Sequence, residues 1–122
     1  MIVLITGGTG FVGLNLAQQL CNKGFKPVLM ALAPMTLAMQ QQLMQAGISF
    51  DFFQGNVTHP DDLDKVCTLY KIDKIVHAAA ITADGEREIA HTKEILETNL
   101  MGSVEVFECA VRHHIKQVIY LS

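Results

Sequence analysis

The chain has 122 residues, half of them hydrophobic, and a formal net charge of −3, which fits one domain around a single core. The weakly acidic balance provides no basic surface for nucleic acid, and no apolar stretch is long enough to cross a bilayer. Because the first residues also lack the basic start of a signal peptide, we expect a cytoplasmic protein that does not bind membranes.

The chain opens with a strand, a glycine-rich turn and a helix. Residues 2–5 are an aliphatic run that is typical of a strand buried on both faces. The helix start after Gly10 would direct its N–H groups and positive dipole end at a phosphate, so the turn suits a dinucleotide pyrophosphate. A tight turn without a ligand is the structural alternative. The candidate cofactor-binding residues here are Gly7, Thr9, Gly10, Phe11, Val12 and Gly13.

Strands and helices then alternate along the chain. The predicted strands are residues 2–5, 28–32, 48–53, 74–78 and 117–121, and the predicted helices are 10–24, 37–47, 58–69 and 89–111. A polar turn at residues 84–88 leads into the last helix. This alternation predicts an α/β fold, a Rossmann-like doubly wound parallel sheet of about five strands in the order 3-2-1-4-5, with helices on both faces. Its ligand crevice would lie at the carboxyl ends of strands one and four.

Five motifs carry a resemblance to a known family. They are residues 6–13 (TGGTGFVG), 55–58 (GNVT), 77–80 (HAAA), 99–102 (NLMG) and 118–122 (VIYLS). In order and register, they resemble the N-terminal part of the extended short-chain dehydrogenases/reductases, the NAD-dependent epimerase/dehydratase group. The resemblance implies an NAD(P)-binding Rossmann domain over residues 1–122, without the C-terminal catalytic helix and substrate region. Members transfer hydride to and from NAD(P) while acting on nucleotide sugars or related carbonyl and hydroxyl compounds.

The resemblance also implies roles for residues beyond the first turn. Asn56 and Val57 match the pair that faces the adenine, although the family usually has Asp at position 56. Small side chains at the end of the fourth strand would let the cofactor lie close to the backbone, at Ala78, Ala79 and Ala80. Asn99 matches an Asn that holds backbone or water near the active site, and a solvated helix face is the alternative. Gly102 is costly inside a helix, so we expect it to pack closely against a neighbouring element.

The cofactor signature at the second strand is incomplete. An NAD site usually has Asp or Glu where this strand ends, but that position is Ala31. An NADP site would need a cation there, and none occurs between Lys26 and Lys65. We expect NAD, bound weakly, because a 2′-phosphate would lack a partner, and NADP remains open.

The family's catalytic pair is not predicted in this chain. The resemblance implies a Tyr-x-x-x-Lys acid/base pair on the helix after the fifth strand. Here Tyr70 is followed at once by Lys71, Tyr120 lies within a predicted strand, and Ser122 matches only the start of the family's serine run. We therefore expect no catalytic residue here and a chain that binds dinucleotide without activity.

Two classes of function follow. The first is the NAD(P)-binding part of an epimerase, dehydratase or reductase, with a small-molecule substrate in the full-length parent. The alternative is a non-catalytic dinucleotide sensor or scaffold. We also expect a homodimer, because one apolar face of strands four and five would be uncovered.

Cysteine and histidine residues are the remaining candidates for a site. The three cysteines are odd in number and widely separated, so we expect reduced, buried thiols. Cys109 and His113 are four residues apart on a predicted helix, but no second pair completes a metal site, so we expect no metal. His77 is expected to be a hydrogen-bonded core residue.

Overall fold

The computed structural model of the chain describes residues 1–80 and 89–121, so the predicted turn at 84–88 and Ser122 lie outside them. Its sheet consists of the parallel strands β1 (Ile2–Thr6), β2 (Lys26–Ala31), β3 (Asp51–Gln54), β4 (Lys74–His77) and β5 (Gln117–Tyr120). Their order is β3-β2-β1-β4-β5, which confirms the predicted Rossmann-like topology. β3 begins three residues later than predicted, and Ile48 is buried in the loop before it.

Helices connect the strands. They are α1 (Phe11–Asn22), α2 (Leu37–Gln45), α3 (Pro60–Tyr70), α4 (Thr92–Leu96) and α5 (Gly102–Arg112), with a π-helical turn (Glu97–Met101) between the last two. The long helix predicted over 89–111 is present as a continuous helical segment over 92–112, but it is not a regular α-helix throughout. A bend at His91 precedes α4, and the π turn widens the backbone before α5. Among the described residues, no helix is both long enough and apolar enough to cross a membrane.

The core has two layers because successive strand residues point to opposite faces of the sheet. On the face covered by α3 and α5, the buried side chains include Leu4, Val28, Met30, Ile75, Leu63 and Val106. On the face covered by α1 and α2, they include Val3, Ile5, Leu29, Val76, Ala17 and Leu43. Burial on both faces explains why β1, β2 and β4 have continuous apolar sequences.

The long helical segment buries a different face from the one its apolar pattern predicted. The exposed side chains are those of the predicted stripe, Ile89, Leu96, Leu100, Val104, Phe107 and Val111. The buried residues of α5 are Gly102, Val106, Cys109 and Ala110. Small residues allow a close approach, as expected for Gly102, where a Cβ would lie 2.8 Å from Val57 Cγ2.

The expected uncovered surface exists on β5 but not on β4. Ile119 and Tyr120 of β5 are nearly half exposed, at 46% and 48%. In β4, by contrast, Ile75, Val76 and His77 are all buried. β4 lies between β1 and β5 in the sheet, and core side chains cover both of its faces.

Candidate functional site

A cavity of about 290 Å³ lies where the carboxyl ends of β1 to β4 meet. The predicted site residues that line it are Gly7, Thr9, Gly10, Asn56, Val57, Ala78, Ala79 and Ala80. Phe11, Val12, Gly13 and Asn99 lie outside its lining. Ala31, where an NAD site usually has an acid, also lines it, and the lining residues that the sequence did not assign to the site are Met30, Leu32, Ala33, Gly55 and Thr98. A crevice at the carboxyl ends of parallel strands is where doubly wound folds bind ligands.

The glycine turn brings three backbone segments into close approach. Gly7 has a φ of +67°, and a Cβ there would lie 2.9 Å from the backbone of Ala78 at the end of β4. At Gly13, a Cβ would lie 2.6 Å from the carbonyl oxygen of Gly7. Side chains at these positions would therefore push α1 and β4 away from the turn.

The start of α1 provides backbone donors beside the cavity. α1 begins at Phe11 after Gly10, and no side chain of the described residues caps it. The Gly10 N–H donates to the Gly7 carbonyl at 3.1 Å, so it is engaged within the turn. The N–H groups of Phe11 and Val12 belong to the first helical turn, whose donors have no intrahelical acceptor. With the positive end of the helix dipole, they form the part of the site suited to an anion.

Asn56 holds the loop after β3 in place. Its Oδ1 accepts hydrogen bonds from Thr58 N (2.9 Å) and Thr58 Oγ1 (2.7 Å), and its own N–H donates to Asp62 Oδ2 (2.9 Å). The carbonyl oxygen of the side chain thus closes a local turn. The amide NH₂ group is the part of Asn56 that can serve a ligand in the cavity.

A chain of hydrogen bonds lies directly beneath the Ala78–Ala80 wall. Thr6 Oγ1 lies 2.6 Å from His77 Nδ1, and His77 Nε2 lies 3.1 Å from Ser103 Oγ. Ser103 Oγ donates to the Asn99 carbonyl at 2.8 Å. At the other end, Thr6 Oγ1 accepts the N–H groups of Ala78 (3.1 Å) and Ala79 (3.2 Å). The chain ties β1, β4 and the π turn together, and His77 is a hydrogen-bonded core residue, as predicted.

The direction of the protons in this chain follows from its donors. Burial lowers the pKa of His77 from 6.5 to about 4, so its ring is neutral at pH 7. The single hydroxyl hydrogen of Ser103 goes to Asn99, so Ser103 Oγ accepts from His77 Nε2–H. The unprotonated Nδ1 then accepts from the Thr6 hydroxyl. Neutral His77 thereby fixes the wall of the cavity through Thr6.

The cavity is electrically neutral. None of the described residues that line it carries a formal charge. Ala31, Leu32 and Ala33 form its border at the end of β2, where the sequence predicted neither an acid nor a cation. Shape, backbone donors and apolar contact must therefore provide recognition.

One Tyr-x-x-x-Lys spacing does occur in the chain, and sequence interpretation overlooked it. Lys74 follows Tyr70 by four residues. Tyr70 is the last residue of α3, and Lys74 is the first residue of β4. The backbone of Lys71, which lies between them, has a left-handed conformation (φ 52°). The pair therefore does not lie on one helix and sits at the amino end of β4, whereas the cavity is at the carboxyl end.

Comparison with known proteins identifies the family. A model of the NAD dependent epimerase/dehydratase family matches residues 3–122. The chain belongs to this family. It is 30% identical over 124 residues to a UDP-glucose 4-epimerase of Neisseria gonorrhoeae, a match that covers 100% of this chain and 36% of that enzyme. A bifunctional UDP-glucose and UDP-xylose 4-epimerase of Pisum sativum is 28% identical, over 98% of this chain and 36% of its own length.

Solved epimerase/dehydratase structures share the fold. The UDP-glucose 4-epimerase of Bifidobacterium longum, in complex with NAD⁺ and UDP, matches with a TM-score of 0.89 and 25% identity. This match covers 100% of the chain and 37% of that enzyme. The chain thus spans about a third of the length of the curated relatives it matches.

Proposed function

We propose that this chain binds NAD in the cavity at the carboxyl ends of β1 to β4, as the cofactor-binding part of an enzyme that epimerises a nucleotide sugar. The single observation that carries the proposal is the glycine turn before α1, which packs directly against the Ala78 backbone and lines a neutral cavity. The family to which the chain belongs, and the similarity of the chain to an epimerase solved with NAD⁺ and UDP, also support NAD as the ligand.

In this arrangement, the chain binds and orients the dinucleotide. The N–H groups of Phe11 and Val12 would hold the pyrophosphate, Asn56 and Val57 would face the adenine, and the Ala78–Ala80 wall would lie against the cofactor. NAD supplies a hydride acceptor when bound. A 2′-phosphate would meet no cation among the described lining residues, which favours NAD over NADP.

Calorimetric titration with NAD tests the proposal, using Gly7→Ala and its matched control Gly47→Ala. Both glycines have a similar positive φ, +67° and +72°, so each variant carries a similar backbone strain of ~1 kcal/mol. Only at Gly7 would the new Cβ meet another backbone; at Gly47 nothing lies within 4 Å. We expect Gly7→Ala to weaken NAD binding by ~10-fold or more, against little change for Gly47→Ala.

Other results would contradict the proposal. Absence of NAD binding in the native chain, or equal affinities in the two variants, would remove the cavity as the NAD site. NADP binding more tightly than NAD would reverse the cofactor assignment. Tight binding of NAD by an intact gene product that lacks a catalytic Tyr-x-x-x-Lys pair would favour the sensor or scaffold function instead.

We also propose that the chain forms a homodimer through the exposed apolar face of α4, the π turn and α5. Leu96, Leu100 and Val111 are exposed there, and the ring of Phe107 lies 6.3 Å from that of Tyr120 on β5, so the apolar surface continues onto the sheet. Sedimentation velocity should show a dimer that Phe107→Glu converts to a monomer. Leu37→Glu on α2 is the control, and a native monomer at high concentration would contradict the proposal.

A further inference from the structure

A second cluster of reactive side chains lies between α3 and α5, on the outer side of the sheet. Asp64 and Cys67 are three residues apart on α3, and Cys109 and His113 are four apart at the end of α5. Both spacings place the two side chains on one helix face. The sequence analysis considered only Cys109 and His113. The packing of α3 on α5 brings Asp64 and Cys67 next to them.

Three of the four donor atoms meet the spacing of a metal site, and the fourth, Cys67 Sγ, lies beside one of them. Atoms of Asp64, Cys109 and His113 lie within 4.8 Å of one another, and Cys67 Sγ is 3.5 Å from Cys109 Sγ. In a tetrahedral zinc site with Zn–S bonds of ~2.3 Å, two sulfurs are ~3.8 Å apart. The Asp64 Oδ1 to His113 Nε2 hydrogen bond is 2.7 Å and would open by well under 1 Å to admit an ion.

The cluster has a buried side and a solvent-exposed side. Both cysteines are buried, at 5% and 0% exposure, whereas the side chains of Asp64 and His113 are 40% and 26% exposed. The sulfur ligands are thus shielded from solvent, and an ion can enter past the carboxylate and the imidazole.

The charges around the cluster also suit a cation. Two thiolates, one carboxylate and a divalent cation leave one net negative charge. The guanidinium of Arg112, 3.0 Å from Asp64 Oδ1, balances it.

We propose that Asp64, Cys67, Cys109 and His113 bind one Zn²⁺ ion that joins α3 to α5. A mixed set of two sulfurs, one nitrogen and one oxygen favours zinc over the hard cations Mg²⁺ and Ca²⁺. Four protein ligands leave no open position, so the ion is structural rather than catalytic. The cluster is separate from the cofactor cavity, and the proposal does not depend on NAD binding.

Zinc titration of the full chain, reduced and freed of metal by a chelator, tests the site. Competition with a chromophoric chelator measures affinity, native mass spectrometry counts ions, and Co²⁺ absorption reports thiolate ligands. We expect one Zn²⁺ per chain, no comparable binding of Mg²⁺, and affinity ~100-fold or more weaker in Cys67→Ser and Cys109→Ser. Cys21→Ser, which changes a thiol on α1 outside the cluster, should bind like the native chain.

Cys109→Ser places a hydroxyl at a fully buried position, which lowers the stability of the fold. His113→Gln therefore serves as a second variant that removes a ligand, at a half-buried position. Circular dichroism of each metal-free variant checks the fold. The proposal is wrong if the native chain does not bind Zn²⁺, or if folded variants of Cys67 and His113 bind as tightly as the native chain. It is equally wrong if the Co²⁺ complex shows no thiolate band.

Discussion

The cofactor cavity and the α3–α5 cluster are built from different parts of the chain. The cavity consists of backbone and uncharged side chains, and it depends on the absence of side-chain atoms at Gly7 and Gly13. The cluster consists of the functional groups of Asp64, Cys109 and their neighbours, held by two packed helices. The cavity can therefore be damaged by adding one carbon, whereas the cluster is damaged by exchanging one functional group.

The two regions also depend on protons in opposite ways. The cavity wall rests on a neutral His77, whose Nδ1 must accept the Thr6 hydroxyl. The α3–α5 cluster gains from charge, because metal binding requires deprotonated thiols and a carboxylate. Acid should therefore disturb both regions. It would add a positive charge to His77 beside the cavity, and it would remove the negative charges of the cluster that bind a metal ion.

The largest effect that we expect is a loss of stability in acid caused by His77. Its pKa is 6.5 when exposed and about 4 when folded, so between these values the unfolded state binds the extra proton. The stability that the neutral ring provides is complete above pH 6.5 and is lost as the pH falls towards 4, by about 3 kcal/mol in total. Urea unfolding across this pH range measures the loss.

A His77→Phe variant sharpens this test. Phe keeps an aromatic ring beside Tyr120, whose centroid lies 5.7 Å from that of His77, but it neither titrates nor bonds to Thr6 and Ser103. The variant should be less stable at pH 7 and should lose most of the slope between pH 4 and 6.5. His91→Gln, at an exposed position before α4, should keep the slope. If the stability of His77→Phe depends on pH as steeply as that of the native chain, groups other than His77 cause the dependence.

The fold and the core of the cavity could be predicted because local patterns encode them. A buried run such as residues 2–5, followed by glycines and a helix start, leaves few alternatives. The alternation of such units, with right-handed crossovers, then leaves few strand orders, and 3-2-1-4-5 is one of the common ones. The close packing of Gly102 could also be predicted, because glycine is costly inside a helix, although the π turn before it has no reliable sequence signal.

Features that depend on packing between distant segments could not be predicted. The apolar stripe of Leu96 and Phe107 resembles a core face in sequence, yet small residues such as Ala110 let the opposite face approach the sheet. Cys67 and Cys109 are 42 residues apart, and only the packing of α3 on α5 brings their sulfurs together. Their spacing in the sequence carries no signal of this contact.

The smallest effect that we expect is that of removing Arg112, and it distinguishes a metal site at Asp64 from an ordinary ion pair. Arg112 donates from Nε (3.1 Å) and Nη2 (3.0 Å) to Asp64 Oδ1 on the surface. Exposed pairs contribute little to stability, so Arg112→Gln should hardly change urea unfolding of the metal-free chain. If Asp64 binds zinc, the lost partner should weaken Zn²⁺ affinity by ~10-fold, because groups that orient metal ligands matter on that scale. Lys116→Gln is the matched control for charge, and equal zinc affinity in both variants would place Asp64 outside the metal site.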